Sequence, residues 1–254
     1  MTAASNIAAN DAVGAAPAVV PMLVAERIDT YYGLSHILRG VDFRVMPRET
    51  VSLLGRNGMG KTTLLRTLMG LVRPRNGRIT LSGIEIGGRR PSAVSRAGLA
   101  FVPEDRGVFP NLSVKENLTF IARQGRNGRA DWTLERIYSV FPRLAERRNN
   151  WGNQLSGGEQ KMLAIGRALM TNPDVILLDE ATEGLAPKIR DEIWETVRQI
   201  RAAGIAAVVV DKNLDDLLAL TDRNVVLTKG EIVFDGATAT LKADPDFIQR
   251  HLGV

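Results

Sequence analysis

Cysteine is absent from this chain of 254 residues. Its absence excludes disulfide bonds, cysteine-ligated zinc sites and thiol nucleophiles, and nothing in the sequence indicates an oxidising compartment. Histidine is scarce, since His36 and His251 are the only two. Any site that needs an imidazole must therefore use one of these two residues.

Long hydrophobic runs are also missing near the start of the chain. The longest one there, Ala12–Ala25, is interrupted by one glycine and two prolines and is shorter than a bilayer requires. A secretory signal carries positive charge ahead of its apolar part, whereas the first basic residue here is Arg27. We therefore expect a cytoplasmic protein that begins with a disordered, alanine-rich tail over residues 1–22.

The charges are mixed, with 33 basic and 28 acidic residues and a net charge of +5. This composition contains no basic block. A small positive excess suits an anionic nucleotide or a lipid-facing surface, although an ordinary solvated surface has the same composition.

The length allows one large domain that contains an inserted subdomain.

Strand and helix signals alternate along most of the sequence. Residues 23–54 are typical of strands joined by turns, and a helix is predicted to begin at Lys61. A polar, arginine-rich helical stretch interrupts the alternation, which resumes with the apolar strand Val175–Leu178. We predict an α/β fold within residues 23–254: a largely parallel sheet, an antiparallel β subdomain near the N-terminus, and an inserted helical subdomain at about 112–165.

The rest of the chain continues this pattern. A helix is predicted at Pro187–Ala203, a strand at Ile205–Val210, a helix at Leu214–Leu220 and a strand at Asn224–Leu227. After Glu231 we expect one more strand and one short terminal helix.

A glycine-rich loop joins the strand Thr50–Leu54 to the first helix. Phosphates need donors closer than most side chains permit, so backbone N–H groups of glycines before a helix N-terminus bind them well. Lys61 would contact the β and γ phosphates, and the Thr62 hydroxyl would ligate Mg²⁺. The alternative is a glycine turn that only caps a helix, but the Lys-Thr pair at this offset favours a P-loop NTPase core. The candidate nucleotide contacts of the loop are Gly55, Asn57, Gly58, Gly60, Lys61, Thr62 and Thr63.

Two acids follow the apolar strand Val175–Leu178. Asp179 lies where α/β sheets place ligands, and we expect it to hold Mg²⁺ directly or through water. Glu180 is the candidate general base, because hydrolysis needs an acceptor that orients a water in line with the γ phosphate. By itself such a pair is also typical of a helix N-cap, and the glycine loop favours the catalytic interpretation.

The stretch Leu155–Gln160 contains the capping box Ser156 with Glu159, which predicts a helix start. Gly157 and Gly158 indicate more than that. Glycine in a first helical turn destabilises the helix and is useful chiefly where another backbone or an anion must approach closely.

In their order along the chain, these three motifs resemble the ATP-binding cassette (ABC) family, the motor subunits of ABC transporters, over residues 23–254. The resemblance implies a head-to-tail dimer that sandwiches ATP, with Ser156–Gly158 contacting nucleotide bound to the other subunit. It also implies an aromatic residue that stacks on adenine, for which Tyr32 matches the position; Tyr31 is its rival, and a plain strand residue is the alternative. No guanine motif of the form Asn-Lys-x-Asp occurs, so ATP is the expected nucleotide.

Three positions depart from the commonest cassette pattern. Glu104 stands where a glutamine usually contacts Mg²⁺ and senses the membrane partner, and Ala186 stands where an aspartate is usual. Lys212 occupies the place of a histidine; it can donate to the γ phosphate, but as a fixed charge. Alternatively, Lys212 pairs at the surface with Asp215 or Asp216. The resemblance thus implies ATP binding and leaves the rate of hydrolysis open.

The segments Val102–Arg106, Gln154–Arg167 and Ala181–Pro187 look most like one branch of the family. That branch serves bacterial importers of branched-chain amino acids, and its relatives serve urea or short amides. The resemblance implies a motor subunit that is cytoplasmic and peripheral on the inner face of the cell membrane. The alternatives are an exporter cassette, similar to those of lipopolysaccharide export, or a soluble ABC ATPase that acts as a scaffold or assembly factor.

The expected partners follow from the same resemblance. A second cassette, identical or related, would complete the dimer, and membrane permease subunits would dock in a groove formed by residues 104–117. Val108 and Phe109 are expected to be exposed in that groove. A periplasmic binding protein would take part indirectly, and no nucleic acid is expected.

Overall fold

The computed structural model describes residues 20–126 and 128–253. Most of the predicted tail at 1–22 lies outside the described residues. Within them, Met22 already belongs to the fold, because its backbone N–H donates to the carbonyl of Val45 at 2.8 Å.

The described chain contains ten strands and ten α-helices. The strands are β1 (Leu23–Tyr32), β2 (Ser35–Val45), β3 (Thr50–Leu54), β4 (Asn76–Leu81), β5 (Ile84–Glu85), β6 (Leu99–Val102), β7 (Val175–Asp179), β8 (Ala206–Val210), β9 (Arg223–Thr228) and β10 (Glu231–Ala237). The helices are α1 (Lys61–Leu68), α2 (Pro91–Arg96), α3 (Val114–Thr119), α4 (Leu134–Val140), α5 (Pro142–Glu146), α6 (Gly157–Leu169), α7 (Pro187–Ala202), α8 (Leu214–Leu220), α9 (Thr238–Lys242) and α10 (Pro245–Leu252).

Two sheets organise these elements. An antiparallel sheet has the order β2-β1-β4-β5, and a six-stranded sheet has the order β10-β9-β3-β8-β7-β6. All neighbours in the larger sheet are parallel except β10 and β9. The predicted α/β fold with a largely parallel sheet and an N-terminal antiparallel sheet is confirmed.

The parallel strands β3, β7 and β8 are buried along their whole length. In β7, Ile176 and Leu178 belong to one hydrophobic cluster, while Val175 and Leu177 belong to another. Because side chains alternate across a strand, the sheet has a core on each face, and its strands read as continuous apolar runs. The carboxyl ends of these strands meet at one edge, so the loops that follow them come together there.

Helices α3 to α6 occupy most of the range predicted for the helical subdomain, and the boundaries of that subdomain stay a prediction. A capping box begins α3, with the Glu116 N–H donating to Ser113 Oγ at 3.2 Å and the Ser113 N–H to Glu116 Oε2 at 2.8 Å. Gly166 of α6 lies close to Leu118 and Ile137, since a Cβ there would approach their side chains to 3.0 and 3.1 Å. Helix α6 therefore joins the helical stretch to the main core.

The prediction of a single terminal helix was wrong. Two short helices follow β10, because Asp244 caps α10 by accepting from the Phe247 N–H at 2.9 Å and Pro245 begins the new helix. None of the helices in the described ranges is long and apolar enough to cross a membrane.

Candidate nucleotide site

The glycine loop lies between β3 and α1. Gly55, Gly58 and Gly60 have φ angles of 140°, 77° and 107°, which favour glycine. A Cβ at Gly55 would approach the carbonyl oxygen of Leu227 to 2.3 Å, whereas one at Gly58 would meet no atom within 4 Å. The loop therefore packs tightly against β9 at one end and is open at its middle.

Lys61 is the first residue of α1 and is buried. Its Nζ donates to the carbonyl oxygens of Gly55 at 2.6 Å and Arg56 at 3.1 Å. Burial lowers the pKa of Lys61, the charge of Asp179 opposes this effect, and Lys212 adds to it. The ammonium is thus held at the loop that would bind phosphate.

Asp179, at the end of β7, is fully buried beside Thr62. The Thr62 hydroxyl donates to Asp179 Oδ1 at 3.3 Å, while Oδ2 has no hydrogen-bond partner among the described residues. Burial raises the pKa of this carboxyl, although the bond from Thr62 lowers it. An orphaned carboxylate oxygen next to a hydroxyl provides the hard oxygen ligands that Mg²⁺ prefers, so these residues fit the metal.

Glu180 follows β7 directly and has a left-handed backbone, with φ at 47°. Such a conformation is strained for a residue with a Cβ and persists only where the surroundings impose it. Here the Glu180 N–H donates to the carbonyl of Val210 at 2.9 Å, which ties the residue to the end of β8.

Lys212 follows β8 and lies opposite Glu180. Its Nζ bonds to the carboxylate of Glu183 and lies 4.0 Å from Glu180 Oε2. The alternative pairing with Asp215 or Asp216 is wrong, because within the described residues the ion pairs of Lys212 are with Glu180 and Glu183 of the loop after β7.

Two adjoining cavities bring most of the predicted residues together. One of about 390 Å³ is lined by Ile37, Asn57, Gly58, Gly60, Lys61, Thr62, Thr63, Glu104, Glu180, Glu183 and Lys212. The other, of about 620 Å³, includes Gly55, Lys61, Glu180 and Lys212, and it is closed by Leu252 and Gly253 at the end of α10. Both surround the glycine loop at the carboxyl edge of the sheet, where α/β folds bind ligands.

Glu104 lies at this edge, in the loop after β6. Carboxylate oxygens of Glu104, Glu180 and Glu183 all lie within 4.8 Å of one another. Glu104 therefore lies at the sheet edge where the family's glutamine was expected, but it adds a third carboxylate beside Glu180 and Glu183.

Tyr32 lies apart from these cavities. It is 45% exposed and lines a separate groove of about 680 Å³. Its rival Tyr31 stacks on His36, with ring centroids 4.1 Å apart and planes at 7°. The Arg75 guanidinium lies 5.0 Å from the centroid of the Tyr31 ring. Stacking of Tyr32 on adenine stays a prediction.

The segment Ser156–Gly158 begins α6 and lines neither cavity around Lys61. The predicted capping box is present, with the Ser156 N–H donating to Glu159 Oε2 at 2.8 Å. A Cβ at Gly158 would approach Ile189 Cγ2 to 2.7 Å, so packing against α7 also accounts for this glycine. A contact from this segment to nucleotide on a second subunit stays a prediction.

Sequence reasoning missed three residues of the site: Glu183, Asp211 and Lys161. Asp211 Oδ2 accepts from the Thr182 N–H at 2.9 Å and its hydroxyl at 2.7 Å, which fixes the loop after Glu180. The Asn213 N–H donates to Asp211 Oδ1 at 3.2 Å, a local turn that the Asp-x-Asn spacing could have indicated.

Comparison with known proteins identifies the family. Residues 38–183 match the family described as ABC transporter. The chain belongs to this family. It is an ABC ATPase, and the resemblance deduced from the motifs is confirmed.

Relatives of this ABC ATPase include importer and exporter proteins. It is 40% identical to the high-affinity branched-chain amino acid transport ATP-binding protein BraG of Pseudomonas aeruginosa, covering 91% of this chain and 100% of that protein. It is 30% identical to the probable branched-chain amino acid transport ATP-binding protein LivF of Archaeoglobus fulgidus (92% and 99% covered). Identity is 34% to the Nod factor export ATP-binding protein I of Paraburkholderia xenovorans (86% and 71% covered).

Solved structures agree with the fold. The ABC ATPase resembles a nucleotide-free ATP-binding cassette from an ABC transporter, with a TM-score of 0.76, 26% identity and 91% and 98% of the two chains covered. It also resembles a dimeric cassette in a post-hydrolysis state bound to ADP and Pi, with a TM-score of 0.73, 25% identity and 85% and 99% covered.

Proposed function

We propose that this ABC ATPase is the motor subunit of a bacterial importer for branched-chain amino acids or related small polar solutes. The observation that carries the catalytic part is the meeting of Lys61, Thr62 and Glu180 around one cavity at the sheet edge, with Asp179 buried behind Thr62 and bonded to its hydroxyl at 3.3 Å. The 40% identity to BraG over its whole length supports the solute class.

Each residue has a distinct task in hydrolysis. Lys61 and the glycine N–H groups bind the β and γ phosphates, and Lys212 donates to the γ phosphate. Thr62 and Asp179 would hold Mg²⁺, with Glu104 beside them, and the ion would neutralise phosphate charge. Glu180 accepts a proton from the water that attacks phosphorus, while the bond to the β-phosphate oxygen breaks and ADP leaves.

ABC cassettes work as dimers with membrane permease subunits. In this proposal, Ser156, Gly157 and Gly158 of a second subunit complete the site, and Tyr32 stacks on adenine. The second subunit is a copy of this chain or a related cassette. A periplasmic binding protein delivers the solute to the permease and does not touch this chain.

The permease docks in the groove of about 680 Å³ between the sheet edge and the helical segment, and Tyr32, which also lines this groove, has to leave it to reach adenine at the glycine loop. Pro103, Asp105 and Gly107 line one side of it. Nearby, Phe109 is 40% exposed and stacks edge-on against Phe120, with centroids 5.9 Å apart. Val108, expected to be exposed, is instead half-buried against the core. Docking there places the ABC ATPase on the inner face of the membrane.

Detergent extraction of membranes that contain the tagged ABC ATPase tests this proposal. We expect permease subunits to co-purify, and we expect ATP-driven uptake of leucine or a short amide by liposomes that contain the complex. Recovery of an active ATPase without any permease would favour the scaffold alternative. The likeness to a Nod factor export protein favours testing efflux as well, and solute leaving the cytoplasmic side would indicate an exporter.

A further inference from the structure

Lys161 is a buried lysine in the second turn of α6, with 3% of its surface exposed. Its Nζ lies 3.1 Å from the carbonyl oxygen of Pro103, 3.3 Å from that of Glu104 and 3.4 Å from that of Asp179. An ammonium has three N–H donors and no acceptor. Each donor of Lys161 therefore has one backbone carbonyl to bind.

These carbonyls lie where the ladder between two strands stops. The last pair of β6 and β7 is Val102 with Leu178, so Pro103 and Asp179 are the next residues of each strand. Proline has no N–H to continue the ladder. The Lys161 ammonium bridges the ends of β6 and β7 at the first position where these two strands no longer bond to each other.

The segments that follow β6 and β7 both carry candidate catalytic residues just beyond this bridge. Glu104 follows Pro103, and Glu180 follows Asp179; their carboxylate oxygens lie within 4.8 Å of each other. Among residues 20–126 and 128–253, the hydrogen bonds of the Lys161 ammonium go to these strand ends and none goes to the glycine loop. It is thus placed to affect the acids without affecting phosphate binding.

The three bonds to carbonyls offset some of the cost of burying a lysine here. Burial of an ammonium destabilises a fold, and an apolar side chain of similar length avoids that cost. Ile165 and Leu169, one and two turns farther along the same face of α6, are apolar and buried, as this face would predict for residue 161. A charged donor at this position therefore indicates a task other than filling the core.

We propose that Lys161 is a positioning residue for ATP hydrolysis, whose ammonium holds the ends of β6 and β7 so that Glu104, Asp179 and Glu180 keep their catalytic geometry. This inference rests on the proposed roles of Asp179 and Glu180. It adds a link between α6, which begins with the Ser156–Gly158 segment, and the acids at the sheet edge.

The test compares K161M, K161Q and the control K242M, in which an exposed lysine of α9 is replaced. We expect K161M to lower kcat by about 10- to 100-fold, since a misplacement of about 1 Å can cost that much. The Kd for a fluorescent ATP analogue should stay within about twofold, because the glycine loop is untouched. K161Q keeps an amide donor, so its kcat should lie between those of K161M and the parent. K242M should match the parent.

The outcomes separate this inference from the proposed function. Parental kcat in K161M, or a loss of ATP affinity as large as the loss of kcat with no recovery in K161Q, overturns the positioning role. If K161M does not fold, K161Q decides: a lower kcat at unchanged affinity supports the role, and an unchanged kcat rejects it. E180Q, assayed in parallel, tests the general base independently, so an inactive E180Q beside a fully active K161M would reject only the inference about Lys161.

Discussion

Lys212 Nζ lies 4.0 Å from Oε2 of Glu180, across the cavity that the glycine loop borders. The same ammonium bonds to Glu183, so one cation serves two acids of the loop after β7. A histidine in this place would change its charge near neutral pH, whereas a lysine keeps it. Lys212 therefore lies beside both the candidate general base and Glu183 of the same loop.

Removal of the Lys212 charge should slow hydrolysis. We expect K212A to lose about ten- to a thousandfold in kcat, because one charged donor in a shielded site is worth a few kcal/mol. K212H should recover part of the rate. Turnover should be measured in the complex with permease, so that weak dimerisation of the isolated chain does not hide the effect.

The control for Lys212 is E183Q, which removes its other partner. If Lys212 serves only the exposed pair with Glu183, K212A and E183Q should both stay near the parental rate, since exposed ion pairs contribute little. That result would reject the phosphate contact.

Substitution of Glu180 by glutamine should separate binding from turnover. E180Q retains size and polarity but cannot accept a proton, so ATP should bind and trap a dimer while hydrolysis stops. Gel filtration with ATP and a phosphate-release assay measure the two effects. E195Q, at an exposed position of α7, is the matched control. A monomeric E180Q that still hydrolyses ATP would contradict the role of general base.

Loss of Lys61 should abolish nucleotide binding. K61A removes the main counter-charge to the triphosphate, and charge-assisted bonds to phosphate are the strongest contacts that the loop offers. Titration with a fluorescent ATP analogue, beside the exposed-lysine control K242A, measures this. Unchanged affinity in K61A would refute the assignment of the loop.

Asp179 should oppose stability in the absence of Mg²⁺. Its folded-state pKa is raised by burial, so the fold favours the protonated form and loses stability as pH rises through that pKa. D179N should therefore unfold at a higher temperature than the parent at pH 7 without metal, with the difference shrinking as pH falls towards about 4, near the unfolded pKa. Added Mg²⁺ with ATP should stabilise the parent more than D179N. A lower melting temperature for D179N at pH 7 would contradict this account.

Much of the fold could be predicted because its central strands have a simple pattern. Strand β3 has the predicted residues and β7 extends the predicted strand by Asp179 alone, since a parallel strand buried on both faces is a continuous apolar run. The phosphate-binding loop could also be predicted from the sequence. Its function depends on backbone conformations with positive φ, and glycines mark the positions where these occur.

Other features depend on contacts between distant segments. The partners of Lys212 come from a loop 29 residues earlier, and Lys161 reaches carbonyls 57 and 58 residues away. No local pattern encodes such pairs. The split between α9 and α10 is different, because the Asp244-Pro245 signal was present in the sequence and was overlooked.

The two glycines at the start and middle of the phosphate loop are required for different reasons. Gly55 is fixed by the backbone of β9, so G55A should damage the fold whether or not phosphate binds there. Gly58 has open space around its Cβ position, so a side chain there would meet no protein atom, although its φ of 77° would still strain an alanine. An inactive G55A therefore says nothing about nucleotide recognition. The loop reaches its ligand-binding shape through backbone conformations that only glycine adopts without strain, so alanine scanning of it must be accompanied by a measurement of folding.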